Sequence, residues 1–346
     1  MNARALILAA LLPAAAFAQG FAGLGTDADG FAIPERGVPF TFPADHGAHP
    51  DYRIEWWYLT ANLTGDDGRD YGLQWTLFRN ALAPGEADGW DSPQVWMGHA
   101  AVTSPDGHHV AERFARGGIG QAGVTAEPFA AFIDDWWMAG LTLSNISVTA
   151  QGADFAYDIR LDSDRPFVRQ GDDGYSVKSQ AGQASYYYSQ PFYEVAGILT
   201  LPEGEVAVTG TGWLDREWSS QPLADDQSGW DWFSLHLDSG EKVMGFQLRS
   251  RSGPAFTAAT WIGADGTPTP FPDGAFAAEP LEITRVAGRD VPTAWALSLP
   301  DRGLDVTVRA LQPQAWMDTA VPYWEGPIRI TGSHPGRGYL EMTGYE

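Results

Sequence analysis

Four short patterns in the first half of the chain return in the same order in the second half, and this limits the fold more than any single motif does. Trp57-Tyr58 followed by Gly72-Leu73-Gln74 is answered by Trp232-Phe233 followed by Gly245-Phe246-Gln247. Ala101-Val102-Thr103-Ser104-Pro105-Asp106-Gly107 is echoed by Thr260-Trp261-Ile262-Gly263-Ala264-Asp265-Gly266, and Pro191-Phe192-Tyr193-Glu194 by Pro322-Tyr323-Trp324-Glu325. The segment from Gly210 to Asp215 matches the one from Gly332 to Glu341. The separation shrinks steadily, from 175 residues (Trp57 to Trp232) to 126 (Asp215 to Glu341), as a second copy with shorter loops requires. Two related domains are expected, with their boundary in the polar, proline-bearing stretch Ser219-Ser220-Gln221-Pro222-Leu223-Ala224-Asp225-Asp226.

Each copy reads as β-structure. Alternating runs such as Glu55 to Leu63, His99 to Thr103 and Trp232 to Leu237 end in clusters of Asp, Gly, Ser or Pro, which are strand and hairpin signals. Helical periodicity over a dozen residues is absent beyond the N-terminus, so an all-β sandwich or barrel is expected. The stretch from Gln170 to Ser185 breaks this rhythm and reads as a surface excursion or a cover over a site.

The first residues read as an export leader: Arg4, an apolar run from Ala5 to Phe17, and the small-residue site Ala16-Phe17-Ala18. The expected organisation is a signal peptide over 1–18, an extension over 19–50, and domains over 51–221 and 222–346. The run is shorter than the ~20 residues needed to span a bilayer, so a periplasmic or secreted protein without a transmembrane segment is expected. With no Cys, the chain has no disulfides, thiolate nucleophile or lipidated cysteine, and its core alone must hold it together. A net charge of −23 argues against nucleic acid as a partner. Fifteen Trp, 12 Tyr and 17 Phe supply wide apolar faces suited to large cores or to an apolar small-molecule ligand.

Several of these segments carry a resemblance. Glu55-Trp56-Trp57-Tyr58, Gly72-Leu73-Gln74-Trp75-Thr76-Leu77-Phe78-Arg79, His99-Ala100-Ala101, Tyr186-Tyr187-Tyr188-Ser189-Gln190-Pro191 and Trp213-Leu214-Asp215-Arg216-Glu217-Trp218 together resemble the AttH-type lipocalin-like proteins, described as predicted secreted hydrolases. That family is related to the carotenoid 1,2-hydratases, or hydroxyneurosporene synthases. The resemblance runs from about Asp51 to Tyr345 and implies two lipocalin-like antiparallel β-barrels. It leaves the chemistry open, because one fold hosts many functions. Where the hydratase branch has an acid followed by His-Asn, this chain has Asp215-Arg216-Glu217.

Strand alternation puts Trp213, Asp215 and Glu217 on one face, with the two carboxyls about 7 Å apart at the backbone. In an apolar cavity they would share a proton, and indole faces would stabilise positive charge on a substrate. The opposing expectation is that Arg216 neutralises both in a structural network. His99 is a candidate general base or orienting group. Glu55, on an apolar strand, is expected to pair with Arg79. Trp57, Gln74, Trp75, Tyr187, Tyr188, Trp213 and Trp230 are the candidate ligand-binding residues.

Other motifs lack their context. Gly118-Ile119-Gly120-Gln121-Ala122-Gly123 opens no helix, the His pairs lack zinc-site spacing, and no Gly-x-Ser-x-Gly elbow occurs. No metal or cofactor is expected. Three functions remain at this level. The first is binding of a lipid or isoprenoid in a barrel cavity. The second is an acid–base enzyme (hydratase, isomerase or hydrolase) using Asp215 and Glu217. The third is an accessory role in an envelope transport system.

Overall fold

The computed structural model describes residues 28–345, so the leader assigned to 1–18 lies outside the described residues. The first sheet is built from β1 (Ile54–Gly65), β2 (Asp70–Ala81), β3 (Gln94–Thr103), β4 (His108–Arg116), β5 (Ala122–Ala126), β6 (Phe129–Ile133), β7 (Trp136–Thr142), β8 (Asn145–Gln151), β9 (Ala156–Asp162), β10 (Val168–Arg169), β11 (Tyr175–Val177), β12 (Ala184–Leu201) and β13 (Gly204–Ser219). The second comprises β14 (Gln227–Leu237), β15 (Lys242–Ser250), β16 (Phe256–Ile262), β17 (Pro268–Phe271), β18 (Ala277–Val286), β19 (Arg289–Leu299), β20 (Leu304–Ala310), β21 (Trp316–Met317), β22 (Tyr323–Gly332) and β23 (Gly336–Met342).

The strand orders are the same. The first sheet runs β4-β3-β2-β1-β13-β12-β9-β8-β7 and the second β17-β16-β15-β14-β23-β22-β20-β19-β18. Even the short strands correspond, since β10 and β11 pair with β12 as β21 pairs with β22. The first sheet then adds β6 and β5, and β6 folds back against β2, β3 and β4. That contact nearly closes the first barrel, and the second, which lacks these strands, remains a half-barrel. Closure is tight at Gly98 on β3, where a Cβ would stand 2.7 Å from Ile133 Cγ2 on β6.

Strand register refines the repeat. Trp56 pairs with Phe78 and Glu217, whereas Trp232 pairs with Phe246 and Glu341. Trp232 therefore matches Trp56, not Trp57, and Glu341 matches Glu217, not Asp215. The slip of one from Trp56 to Trp57 turns the side chain to the other face, whereas the slip of two from Glu217 to Asp215 keeps the face and moves along it. Trp57 faces the core of the first barrel, and Trp232 faces the other sheet.

The first barrel is filled. Trp57, Trp75, Trp136, Tyr188 and the aliphatic residues around them form one packed core, so the expected barrel cavity is replaced by side chains. One end is stoppered by residues 40–49. Trp57 Nε1 donates to His46 O at 2.9 Å, Arg216 Nη2 to Gly47 O at 2.7 Å and Arg79 Nη2 to His49 O at 2.8 Å. Beneath this plug Glu55 pairs with Arg79, as its place on an apolar strand implied, and with Arg216 at 3.3 Å. Burial alone would raise the Glu55 carboxyl, but Arg79, His49 and Arg216 hold it well below the usual carboxylate range. In the second domain Asp231 takes the corresponding place, accepting from Gln247 at 2.7 Å and pairing with Arg249.

The outer faces of the two sheets pack against each other. Tyr58, Tyr187 and Trp213 meet Trp232, Met244, Phe246, Leu248 and Tyr339 there. Both faces of β1 and β14 are thus covered, and burial along them is almost continuous. On β8 and β9, which keep a solvent face, burial alternates residue by residue.

Candidate active site

The cavity that gathers the acidic groups lies between the two sheets. It is small, about 70 Å³, and its walls are the rings of Trp56, Phe78, Trp230, Trp232 and Phe246 with Leu248. Tyr58, Lys178, Tyr187, Asp215, Glu217 and Glu341 supply its polar groups. Asp215 and Glu217 come from β13, Tyr187 from β12, Tyr58 from β1 and Glu341 from β23, so both domains contribute.

Asp215 is held by three donors. Tyr187 O–H reaches Oδ2 at 2.6 Å, and Ser189 O–H and Trp213 Nε1–H reach Oδ1 at 2.5 and 2.7 Å. Burial outweighs these bonds and pushes the carboxyl up to about 7, with Glu217 adding repulsion. Tyr187 in turn accepts from Trp232 Nε1 at 3.1 Å, which ties the acid to the second domain.

Glu217 accepts from Ser185 at 2.5 Å and pairs with Lys178 at 2.8 Å. The ammonium of Lys178 also lies 4.5 Å from the centre of the Phe246 ring and 4.9 Å from that of Tyr187. Lys178 therefore neutralises Glu217, and Arg216, on the opposite face of β13, belongs to Glu55. The expectation that Arg216 balances both carboxyls is corrected by strand alternation. Glu341, on the second domain's wall, accepts from Trp230 Nε1. Burial, with repulsion from Asp215 and Glu217, raises it to about 7.

Next to Glu341 on the paired strand β22 is Glu325, wholly buried and accepting from Tyr58 O–H at 2.6 Å. Burial and the nearby Glu341 raise its carboxyl well above the usual range.

The candidate residues divide by strand face. Tyr187, Asp215, Glu217 and Trp230 line the cavity, and Trp213 sits directly behind Asp215. Trp57, Trp75 and Tyr188 point into the filled barrel, because each is one residue out of phase with the cavity-facing set. Gln74 is buried and donates to Thr76, outside the cavity lining. His99 also lies outside it: its Nδ1 is 3.0 Å from the Tyr323 hydroxyl and its Nε2 3.1 Å from Glu112 Oε1.

Tyr58, Lys178 and Glu341 were not among the sequence candidates. The repeat carried a signal for Glu341, the counterpart of Glu217. Lys178 comes from the irregular stretch after Gln170, which reaches the cavity wall with this one side chain. The same stretch borders a second hollow of about 290 Å³, with Ser179 and Gln180 facing Asp226, Ser250 and Phe256. This hollow is larger but carries no acid with a raised carboxyl. Among the described residues no group of three or more His, Asp or Glu is arranged to hold a metal ion.

The fold and these segments find their match in known proteins. Residues 33–345 match the AttH-like family. The chain belongs to that family. A crystal structure described as an AttH candidate, from Nitrosomonas europaea, is 33% identical with a TM-score of 0.82, covering 91% of this chain and 99% of the other. Kievitone hydratase from Nectria haematococca shares the fold at 16% identity and a TM-score of 0.68, covering 92% of this chain and 98% of that one. No curated protein matches the chain in sequence.

Proposed function

We propose that this AttH-like protein binds an apolar, unsaturated small molecule between its two sheets and adds water across a carbon–carbon double bond. One observation carries the reading: Asp215 and Glu341, from different domains, face one ring-walled cavity with both carboxyls raised to about 7. Two carboxyls that each titrate near neutrality in one cavity are each present in both protonated and ionised forms at ordinary pH, so one can serve as acid while the other serves as base.

Asp215, oriented by Tyr187, Ser189 and Trp213, transfers its proton to one alkene carbon. A C–H bond forms, the π bond breaks, and positive charge develops on the second carbon. The indole and phenyl faces and the Glu217 carboxylate stabilise that charge. A water oxygen bonds to the cationic carbon, and the Glu341 carboxylate takes the proton that water gives up.

The cavity's size weighs against simple lipid carriage. Sites that enclose a ligand are usually about 300–1,000 Å³, and this cavity, open at one side, has a volume of about 70 Å³. A substrate would insert one end and leave the rest toward the entrance. A neighbour of the same fold is named a hydratase, which makes hydration the first reaction to try. Export is part of this proposal, with Gln19 as the first residue of the mature chain, and N-terminal sequencing of protein recovered from its producing cells checks it.

The experiment is incubation with a panel of prenylated and arylalkene compounds in heavy-oxygen water, read by mass spectrometry. Label incorporated by the wild type and lost in Asp215→Asn supports the reading. Incorporation that persists undiminished in folded Asp215→Asn refutes it.

A further inference from the structure

A ring-walled cavity selects its occupant by the few hydrogen bonds it leaves unmade. Resting on the cavity reading above, we infer that Lys178 is the specificity-determining residue of this site. Its ammonium donates to a neutral oxygen acceptor on the bound molecule, so the ligand is an oxygenated alkene, such as a ketone, ester or ether, and not a pure hydrocarbon.

Most donors of the wall are already committed to protein acceptors. Tyr58 O–H goes to Glu325 and Tyr187 O–H to Asp215, each at 2.6 Å. The indole N–H of Trp232 goes to the Tyr187 oxygen at 3.1 Å, and that of Trp230 to Glu341. Lys178, the one basic residue lining the cavity, carries three N–H groups. One of them is met by Glu217 Oε1 at 2.8 Å. Around the rest of the ammonium are ring faces, with the Phe246 centroid at 4.5 Å and that of Tyr187 at 4.9 Å. A ring face is a weaker partner for a charged N–H than an oxygen is. The side chain is only 8% exposed, so bulk water does not take that place.

The ammonium is held in position before anything binds. Lys178 directly follows β11 and opens the turn into β12. Its N–H donates to Gln183 O at 2.7 Å, and its carbonyl accepts from Gln227 Nε2 at 2.9 Å. Gln227 Oε1 in turn accepts the Ala224 N–H at 2.8 Å, which fastens the turn to the connection between the domains. A donor fixed in this way loses little freedom when a ligand completes it.

Charge balance selects a neutral acceptor. Glu217 already neutralises Lys178, and Asp215 and Glu341 face the same space. A carboxylate or phosphate would therefore meet acids with which it cannot pair. A carbonyl or ether oxygen accepts an N–H without bringing a charge. Glu217 lies one strand repeat, about 7 Å, from Asp215 along β13. The oxygen beside Lys178 and the double bond at Asp215 are thus separate points of one molecule.

Binding of two compounds of matched shape, para-prenylacetophenone and para-prenylcumene, tests this. They differ by a carbonyl oxygen against a methyl group, and quenching of Trp fluorescence in the full-length protein gives a Kd for each. In Glu217→Gln, which keeps Lys178, the preference for the ketone should persist. In Lys178→Met combined with Glu217→Gln, which removes both charges and leaves no carboxylate buried alone, that preference should fall by about tenfold or more. Comparing the ratio of the two Kd values between variants cancels the ligands' own difference in solvation. An equal ratio in the two variants overturns the proposal. Binding of neither compound to the wild type overturns it as well, and the cavity reading with it. If the double variant fails to fold, the wild type decides by infrared spectroscopy. The carbonyl band of the bound, isotope-labelled ketone should lie below its frequency in a hydrocarbon solvent, and a band at the hydrocarbon frequency overturns the proposal. No turnover is involved, so an equal ratio leaves the hydration chemistry standing.

Discussion

Replacing Asp215 by Asn should change how stability depends on pH, in a direction and size set by the site. Burial lifts the Asp215 carboxyl from 3.8 to about 7. Below both values the folded and unfolded forms are protonated alike, and the group contributes nothing to the pH dependence. As pH rises past the unfolded value the unfolded aspartate ionises while the folded one keeps its proton, so stability is lost at ~1.4 kcal/mol per pH unit until the folded group also ionises. From about pH 5 to about pH 7 this amounts to roughly 3 kcal/mol. Glu341, raised from 4.5 to about 7, adds a loss of the same sign. His46, lowered to about 4, and His108 and His236, lowered to about 3, act oppositely, because buried neutral imidazoles gain stability as pH rises toward their unfolded value of 6.5. The absolute slope is therefore mixed, and the difference between variant and wild type isolates Asp215. Asn keeps an oxygen for Ser189 and Trp213 but turns an amide toward Tyr187, a mismatch costing about 1 kcal/mol at every pH. Urea unfolding followed by Trp fluorescence should find Asp215→Asn near neutral in effect at about pH 5 and more stable than wild type by roughly 2–3 kcal/mol at about pH 8. A stability difference that stays constant across that range would refute the claim that this carboxyl is held protonated by burial.

Two further changes probe its surroundings. Glu55→Gln leaves the Arg79 and Arg216 guanidiniums buried without their carboxylate and should cost about 3–5 kcal/mol in the same urea experiment; a loss below about 1 kcal/mol would mean the plugged barrel end carries little of the fold's stability. Tyr187→Phe removes a donor that favours ionised Asp215, so the midpoint of the Asp215 infrared band should move up from about 7, and a downward shift would show that Tyr187 does not stabilise the carboxylate.

What the sequence could reveal follows from what strand periodicity encodes. It gave the all-β class, the repeated order of strands, the pairing of Glu55 with Arg79 and the shared face of Trp213, Asp215 and Glu217. Periodicity says which residues share a face but not what that face meets. In β1 and β14 even this signal is muted, because both faces are buried and apolar residues run almost without interruption. Rings at Trp57, Trp75 and Tyr188 therefore looked equivalent to those at Trp56, Trp230 and Trp232, and only register separates core from cavity. Lys178 and Glu341 lie far from Asp215 along the chain, and the two-residue slip in matching Glu341 hid its correspondence to Glu217. His99 was legible as a buried polar histidine, while its partners Glu112 and Tyr323 depend on how the second sheet docks.

The docked sheets also set the geometry of the chamber. The ring-walled space of about 70 Å³ has its opposite sides on different sheets, Asp215 and Glu217 on one and Glu341 on the other. Any shift of one sheet against the other would change the separation of the two acids. In the proposed chemistry the spacing of Asp215 and Glu341 is therefore set by how the two sheets dock and not by either sheet alone.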